Sequence, residues 1–413
     1  MSRVLFISYD GMTDPLGQSQ VIPYLKALAK NGYEITLLSF EKKNKLEKLS
    51  GTIQAILDEA GINWQPLIFT RQPPFLSKVY DVWKLQRKVR QLHSKSPFEL
   101  IHCRSYVPAS AGLKMWKRFQ IPFLFDMRGF WVDERVDNGQ WDLKNPFFCF
   151  FYKHYKKKEA AYFSNAHHII SLTWKGKDEL VNKYGVPANK VTVIPCCVDL
   201  NHFDYHKING EDLNKRRLKL NISSQDLIIS YLGSLGGWYL VKEMMDFFKE
   251  LKERKPEAKF LIITQDTPEL IYKAAAASGV APESIAIQAA QRNEVPYYLA
   301  MSDYSLFFIK DAYSKRASSP TKQGEIMAMG VPLICNDIGD TGKIIEASEA
   351  GLLVKQFNTS CYQLAIDEMP GLLKKDKAEI RKAAFHYYDL STGVSSYLEI
   401  YNRLVNTQGG AGK

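Results

Sequence analysis

Hydroxyl, amine and carboxylate side chains gather in one short stretch of the sequence, "SSPTKQGE" at 318–325. The apolar run "VPLIC" follows shortly after it. This order predicts a helix with Pro320 in its first turn and Ser318 or Ser319 as its N-cap. Because a helix N-terminus favours an anion, Lys322 would add positive charge where an anion already binds well.

Lys322 and Glu325 lie three residues apart, so they share one face of the predicted helix. A carboxylate cannot hold a phosphate, but it can accept hydrogen bonds from two ribose hydroxyls. A phosphate at the helix tip and a ribose one turn further on would form a nucleotide diphosphate site. The plain alternative is a capping cluster with an ordinary lysine–glutamate pair. The candidate nucleotide-binding residues here are Lys315, Arg316, Ser318, Ser319, Thr321, Lys322 and Glu325.

Two glycine-containing loops follow apolar runs elsewhere in the chain. In "DGMTDPLGQSQ", Gly17 precedes a helical pattern and would let backbone N–H groups approach an anion or a sugar hydroxyl. In "YLGSLGGW", Gly233 and Ser234 could open a phosphate-binding nest. An ordinary tight turn is the alternative at both places.

A third loop, "FDMRGFWVDE", places Asp126 and Arg128 among aromatic residues. Aromatic faces stack on the C–H surfaces of sugars while charged groups orient the hydroxyls, so this loop suits a carbohydrate. A solvated charged loop over a small aromatic cluster is the alternative. Asp126, Arg128 and Lys322 are the candidate catalytic residues.

The elements that must position these loops alternate between short apolar runs and helical patterns. Six such runs occur in each half of the chain, from "RVLFISY" to "VTVIP" and from "LIISYLG" to "GLLVK". The alternation predicts an α/β protein with two doubly wound domains, whose ligands bind at the carboxyl ends of the strands. The predicted division is an N-terminal domain at 1–203, a C-terminal domain at 204–388, and a last helix with a flexible tail at 389–413.

The composition is that of a folded enzyme with a positive charge. The 413 residues are 46% hydrophobic, the formal net charge is +11 and the isoelectric point is about 9.1. These values exclude a disordered chain and favour acidic partners. We find no C-x-x-C pair, no signal peptide pattern and no apolar run long enough to span a bilayer. We therefore expect a cytoplasmic protein without a metal site or disulfide framework.

Several motifs together resemble glycosyltransferase family 4. They are P-x-K-x-x-E followed by "AMGVPLI", the "DPLGQSQV" loop, "VIPCCVDLNHF" at the domain boundary and the "YLGSL" opening of the second half. The resemblance implies the GT-B fold, with two Rossmann-like domains facing a cleft and a C-terminal helix that returns to the first domain. It also implies a retaining hexosyl transfer in polysaccharide or glycoconjugate synthesis, from a nucleotide sugar, most simply a UDP- or GDP-sugar, with no metal ion and no cofactor.

The sequence departs from the family pattern at four positions. Ala317 replaces the first glutamate of the usual pair, Ser234 replaces a phosphate-binding arginine, and Tyr239 replaces a lysine. Arg128 stands where a histidine is usual. The leaving diphosphate still needs positive charge as the glycosidic bond breaks. We therefore expect Arg128 from the first domain, and Lys315 and Arg316 from the second, to supply it.

The acceptor would be a glycan, either soluble or lipid-linked. Residues 75–95 and 145–163 are aromatic and basic, and such a face can lie on an anionic bilayer. Core aromatics with a solvated lysine run are the alternative. If the bilayer interpretation holds, the protein works at the inner face of the cytoplasmic membrane.

Two other functions remain open at this stage. A nucleotide-sugar 2-epimerase of related fold would use the same donor but no acceptor. A nucleic-acid-binding protein would explain the positive charge, but no helix-turn-helix, RNP or zinc pattern occurs, so we expect no nucleic-acid partner.

Overall fold

The structure is a computed structural model that describes residues 1–70, 72–73 and 76–409. The chain forms two compact units. The N-terminal unit comprises Met1–Pro195, Tyr313–Ser318 and the chain from Leu390 onward, and the C-terminal unit comprises Cys196–Ala312 and Ser319–Asp389. The end of the predicted flexible tail, 410–413, lies outside the described residues.

The N-terminal unit contains one parallel sheet of seven strands in the order β3-β2-β1-β4-β5-β6-β7. The strands are β1 (Ser2–Ser8), β2 (Tyr33–Glu41), β3 (Asn63–Ile68), β4 (Leu100–Arg104), β5 (Phe123–Asp126), β6 (His168–Ser171) and β7 (Val191–Val193). Its helices are α1 (Pro15–Gln20), α2 (Ile22–Lys30), α3 (Lys43–Glu59), α4 (Leu76–Lys95), α5 (Tyr106–Phe119), α6 (Trp131–Asp137), α7 (Pro146–Asn165), α8 (Trp174–Asn182) and, at the end of the chain, α17 (Leu390–Gly409).

The C-terminal unit repeats this plan with six parallel strands in the order β10-β9-β8-β11-β12-β13. The strands are β8 (Leu227–Leu232), β9 (Ala258–Ile263), β10 (Ile285–Gln288), β11 (Tyr304–Phe307), β12 (Leu333–Cys335) and β13 (Gly351–Leu353). The helices are α9 (Gly210–Lys219), α10 (Val241–Arg254), α11 (Pro268–Ser278), α12 (Val295–Ala300), α13 (Thr321–Ala328), α14 (Thr341–Ser348), α15 (Thr359–Leu372) and α16 (Lys377–Tyr388).

Each unit has its own hydrophobic core, and the apolar runs of the sequence build both. A parallel sheet that helices cover on both faces buries successive residues, which is why its strands are continuous apolar runs. The predicted α/β class with two Rossmann-like domains is confirmed. In both units the strand order reverses beside the first strand, between β1 and β4 and between β8 and β11, where such sheets bind ligands.

One strand is absent from the sequence prediction. Strand β3 lies at the edge of its sheet, carries Pro66 and buries only Trp64, its other side chains being half-buried or exposed. Proline is tolerated on an edge strand because one side of that strand makes no ladder hydrogen bonds. The segment therefore lacks the apolar run by which the other strands are recognised.

The observed division between the units falls eight residues before the predicted one at 203/204. Residues 196–203 group with the C-terminal unit because its helix α16 holds them. The Val198 N–H donates to the Tyr388 carbonyl at 2.7 Å. The buried Arg381 guanidinium donates to the carbonyls of Leu200, at 2.8 Å, and Phe203.

Helix α17 belongs to the N-terminal unit, and its polar side chains bind the sheet there. The Tyr401 hydroxyl meets His102 Nδ1 at 2.7 Å, and the Tyr33 hydroxyl donates to Asn402 Oδ1 at 2.5 Å. The predicted return of the last helix to the first domain is thus observed. Across the described ranges, no helix is long and apolar enough to cross a membrane.

We expect Arg381→Met to destabilise the C-terminal unit by about 3–5 kcal/mol, because three buried carbonyls, those of Leu200, Phe203 and Ala328, would lose a charged donor. Denaturant unfolding measures this loss. The matched control is Arg254→Met, since Arg254 forms a more exposed ion pair with Asp367 and should matter by less than about 1 kcal/mol. Equal effects of the two substitutions would contradict the role given to Arg381.

Candidate functional site

The side chain of Lys322 is buried among aromatic rings at the carboxyl edge of the C-terminal sheet. Helix α13 places it there, and the residue is 8% exposed. Its Nζ donates to the Tyr231 hydroxyl at 3.0 Å and lies 3.6 Å from the centre of the Tyr239 ring. A Cβ atom at Gly233 would lie 3.1 Å from this Nζ, so the loop after β8 passes directly over it.

Burial lowers the pKa of Lys322 well below the usual lysine value, and the charges of Glu325 and Asp266 oppose this shift only in part. The aromatic faces attract the ammonium group, but rings do not neutralise it as an anion would. The protonated form of Lys322 is therefore poorly compensated in the structure, and an anion bound beside it would favour that form.

Glu325 lies on the same helix, and its partner is an arginine that sequence reasoning did not single out. Arg292 Nη1 lies 3.3 Å from Glu325 Oε1, and the Arg292 guanidinium stands over the ring of Phe203. Burial raises the pKa of Glu325, while Arg292 and Lys322 act to lower it. Because a carboxylate accepts several hydrogen bonds at once, Arg292 does not exhaust the capacity of Glu325. Arg292 follows strand β10, so the rule that ligands bind after strand ends could have identified it.

The glycine loop after β8 donates hydrogen bonds to a carboxylate from the neighbouring loop, the one after β9. Asp266 Oδ2 accepts from the Ser234 hydroxyl at 3.0 Å and from the Leu235 N–H at 2.6 Å. The Gly233 N–H donates to the Ile263 carbonyl. These contacts favour the plain-turn interpretation of this loop, so the prediction that Ser234 binds a phosphate gains no support from them. Asp266 also follows a strand, β9, and the sequence prediction missed it.

The start of α13 differs from the predicted cap. The helix begins at Thr321 with Pro320 at the N-cap position, and no side chain caps it. Ser319 is instead engaged elsewhere, because its hydroxyl accepts from the Cys196 N–H at 3.3 Å. Ser318 falls in the N-terminal unit. The prediction that Ser318 or Ser319 caps the helix is therefore wrong.

Lys315 and Arg316 group with the N-terminal unit, whereas the sequence analysis placed them in the second domain. Lys315 Nζ donates to Glu134 Oε1 at 3.0 Å, and the Arg316 guanidinium pairs with Glu179. The hydroxyl of Thr173 donates to the carbonyl of Arg316 and fixes the segment further. Both cations thus have acidic partners within their own unit, and their predicted contact with a diphosphate stays a prediction.

Asp126 and Arg128 lie together at the end of β5 in the N-terminal unit. Arg128 Nη1 is 3.6 Å from Asp126 Oδ1, and the Tyr397 hydroxyl donates to Asp126 Oδ2 at 3.2 Å. Burial, the largest single influence, would raise the pKa of Asp126, but Arg128, His102 and Arg104 together outweigh it, and the pKa falls to about 2. Arg128 has a φ of 61°, a left-handed conformation that costs free energy in a residue other than glycine. Such strain is common at functional sites.

The loop after β1 is built around the buried carboxylate of Glu41, which lies at the end of β2. Glu41 accepts from the N–H groups of Met12, at 2.7 Å, and Thr13, at 3.1 Å. Gly17 packs so closely that a Cβ there would lie 2.2 Å from the Gly11 carbonyl oxygen. This contact accounts for the glycine without a ligand, and ligand binding at Gly17 stays a prediction. Among the described residues, no group of acidic, histidine or cysteine side chains could hold a metal ion.

Comparison with known proteins matches two family models to the chain. The model described as Glycosyltransferase Family 4 matches residues 19–202, and the model described as Glycosyl transferases group 1 matches residues 213–383. A curated relative, D-inositol 3-phosphate glycosyltransferase of Rhodococcus jostii, is 20% identical over 308 residues. That match covers 71% of this chain and 64% of the relative. The corresponding enzyme of Rhodococcus opacus is 19% identical, with 67% and 60% covered.

Solved structures share the fold over almost the whole chain. A sucrose-phosphate synthase of Thermosynechococcus elongatus has a TM-score of 0.74 at 15% identity, covering 98% of this chain and 100% of its own. A glycosyltransferase of Rickettsia africae has a TM-score of 0.72 at 17% identity, covering 98% of both chains. HepE of Anabaena in complex with UDP-glucose has a TM-score of 0.70 at 14% identity, covering 98% and 100%.

The depressed pKa of Lys322 has a consequence for stability. Between its lowered pKa and the usual lysine pKa, Lys322 binds fewer protons in the folded state than in the unfolded state. The free energy of unfolding therefore rises with pH in this range. We expect Lys322→Met to remove this rise and to stabilise the protein near neutral pH. Unfolding measured at about pH 7 and about pH 9 tests this. Lys249→Met, at an exposed position on α10, is the control, and a wild-type pH dependence that survives in the Lys322 variant would refute the assignment.

Proposed function

We propose that this chain, which belongs to the glycosyltransferase family 4 group of GT-B fold proteins, is a retaining glycosyltransferase that transfers a hexosyl group from a nucleotide diphosphate sugar to a glycan. Its product would belong to a surface polysaccharide or a glycoconjugate. Because the match spans less than two thirds of the curated relatives, their acceptor is not transferred to this chain.

One observation carries the proposal, namely the buried pair of Lys322 and Glu325 on one face of α13. A diphosphate would supply the anion that Lys322 lacks, and a ribose would give its two hydroxyls to Glu325. A UDP- or GDP-sugar meets both requirements. The UDP-glucose complex of HepE, which shares the fold, supports UDP as the first nucleotide to test.

The transfer itself needs no protein nucleophile. In attack on the leaving-group face, the acceptor oxygen forms a bond to the anomeric carbon while the bond from that carbon to the diphosphate oxygen breaks. The acceptor proton passes to an oxygen of the departing diphosphate. The diphosphate gains negative charge in this step, and a positive charge already in place stabilises it most in the transition state. We assign that charge to Lys322.

The N-terminal unit would supply the acceptor side. Asp126 is ionised across the physiological pH range because its pKa is about 2, so it can accept hydrogen bonds from sugar hydroxyls. Arg128 holds that carboxylate in place. We further propose that the acceptor is a glycan carried on a lipid and that the protein works at the inner face of the cytoplasmic membrane.

We expect Glu325→Ala to weaken binding of the free nucleoside diphosphate by roughly 1.5–3 kcal/mol for each ribose hydrogen bond that is lost. Titration calorimetry with UDP and GDP measures the change. Glu346→Ala on α14, at an exposed position of the same unit, is the matched control. Unchanged affinity in the Glu325 variant would show that the ribose lies elsewhere.

Transfer should continue in excess EDTA, since we assign the charge on the leaving diphosphate to Lys322 and not to a metal ion. Product formation is followed with a UDP- or GDP-sugar and candidate glycan acceptors. Loss of activity in EDTA that manganese restores would contradict the lysine assignment. The same donor incubated without acceptor should yield no C2 epimer, whereas an epimer would identify the protein as a 2-epimerase.

A further inference from the structure

Three helices of the N-terminal unit carry the net charge of the whole chain. Helix α5 packs against both α4 and α7. Together the three contain thirteen of the 55 lysine and arginine residues but only two of the 44 acids. The rest of the chain has 42 of each and is neutral, so the excess of +11 lies on this one surface.

The two acids of these helices point inward and leave most of the surface cations uncompensated. Asp81 is 1% exposed and accepts from the N–H and hydroxyl of Thr70. Glu159 is 0% exposed and accepts from the hydroxyl of Tyr106. Each acid also pairs with one lysine of its own helix, Lys84 or Lys156.

Cations on neighbouring helices crowd one another. Partial burial lowers the pKa of Lys158 on α7, and the charge of Lys114 on α5 lowers it further. Burial also lowers the pKa of Lys78 on α4, and the charge of Arg135 lowers it further. Such like-charge crowding is unfavourable in isolation, and an anionic partner relieves it.

Large apolar side chains are exposed among these cations. On α4 and α7 they range from 48% to 66% exposed, and they are Leu76, Val79, Tyr80, Trp83, Phe147 and Phe150. The Arg87 guanidinium stands 5.5 Å from the centre of the Trp83 ring. Phe75, the first residue of this predicted face, lies outside the described residues. We call the exposed side of α4, α5 and α7 the basic aromatic face.

A groove of about 290 Å³ lies between α4 and α5 within this face. Trp83, Arg90, Lys114 and Arg118 line it, with Val89 and Met115 at its base. Lys114 Nζ donates to Gln86 Oε1 at 2.6 Å, which fixes one cation at the groove. The groove therefore combines three positive charges with an apolar floor, the combination that a phosphate headgroup with its acyl chains requires.

We propose that the basic aromatic face binds the surface of a bilayer rich in anionic phospholipid. Lysine and arginine near an anionic leaflet attract it, and tryptophan, tyrosine and phenylalanine insert at the boundary between headgroups and acyl chains. The exposed aliphatic side chains of Leu76 and Val79 can pack against the acyl chains of a bilayer. A nucleic-acid backbone offers them no apolar surface, so a bilayer fits this face better. This inference deepens the proposed function by naming the surface on which a lipid-linked acceptor would be met.

Vesicle flotation with the full chain tests the proposal. The probes are vesicles of phosphatidylcholine alone and vesicles in which about one third is phosphatidylglycerol. We expect binding to the anionic vesicles at about 0.1 M salt and release at about 1 M, where charges are screened within about 3 Å. The double variant Lys114→Gln with Arg118→Gln should bind about tenfold more weakly. Trp83→Ser with Phe150→Ser should also weaken binding.

The matched control, Tyr272→Ser with Lys273→Gln, removes one exposed aromatic and one exposed lysine from α11 in the C-terminal unit and should bind vesicles as the wild type does. Equal binding to neutral and anionic vesicles, or full binding by the groove variant, would overturn the proposal. So would tighter binding to a random DNA duplex at the same salt. UDP titration of each variant tests the proposed function separately from bilayer binding. Vesicle binding without UDP binding would refute only the proposed function.

Discussion

Polar groups at the carboxyl edge of a buried parallel sheet must be paired, because an unpaired polar group in the interior costs free energy. Two loops of this chain meet that constraint with a carboxylate from a neighbouring segment. Glu41, at the end of β2, accepts from the loop after β1, and Asp266, which follows β9, accepts from the loop after β8. Within the part of the chain that the structure describes, Lys322 has no such carboxylate partner and instead contacts the rings of Tyr231 and Tyr239 and the Tyr231 hydroxyl. An added anion would stabilise the protonated side chain of Lys322, and for this reason we propose the donor site at α13 and not at the glycine loops.

The residues just before α13 show how sequence proximity can mislead. Lys315 and Lys322 are seven positions apart, yet the segment Tyr313–Ser318 groups with the N-terminal unit and α13 with the C-terminal unit. The acids of α6 and α8 explain this placement, since Glu134 pairs with Lys315 and Glu179 with Arg316. A cluster that reads as one site in the sequence is therefore two sets of residues with different partners.

The sequence predicts those features that local patterns determine. Twelve apolar runs become twelve strands, and the shared face of Lys322 and Glu325 follows from helical spacing alone. Strand β3 is missed because an edge strand with a proline needs no continuous apolar run. The wrong cap at Ser319 and the missed partner Arg292 have a common cause. Each depends on a contact between distant positions, Cys196 with Ser319 and Arg292 with Glu325. The position of Arg292 after β10 could mark it as a candidate, but a single sequence does not show which residue it pairs with.

The two proposals give positive charge two separate purposes in this chain, and the solvent exposure of the cations differs between them. The cations of α4, α5 and α7 are mostly exposed, so salt screens them over a Debye length of about 8–10 Å. Lys322 is buried, and screening reaches it far less. The exposed cations are numerous and act on a broad surface, so replacing one of them changes little. Lys322 is a single group in a low-dielectric site, where its interaction with an anion is strong and depends on position. Under the two proposals, the buried Lys322 binds one ligand, while the excess charge of +11 on α4, α5 and α7 faces a different, extended partner.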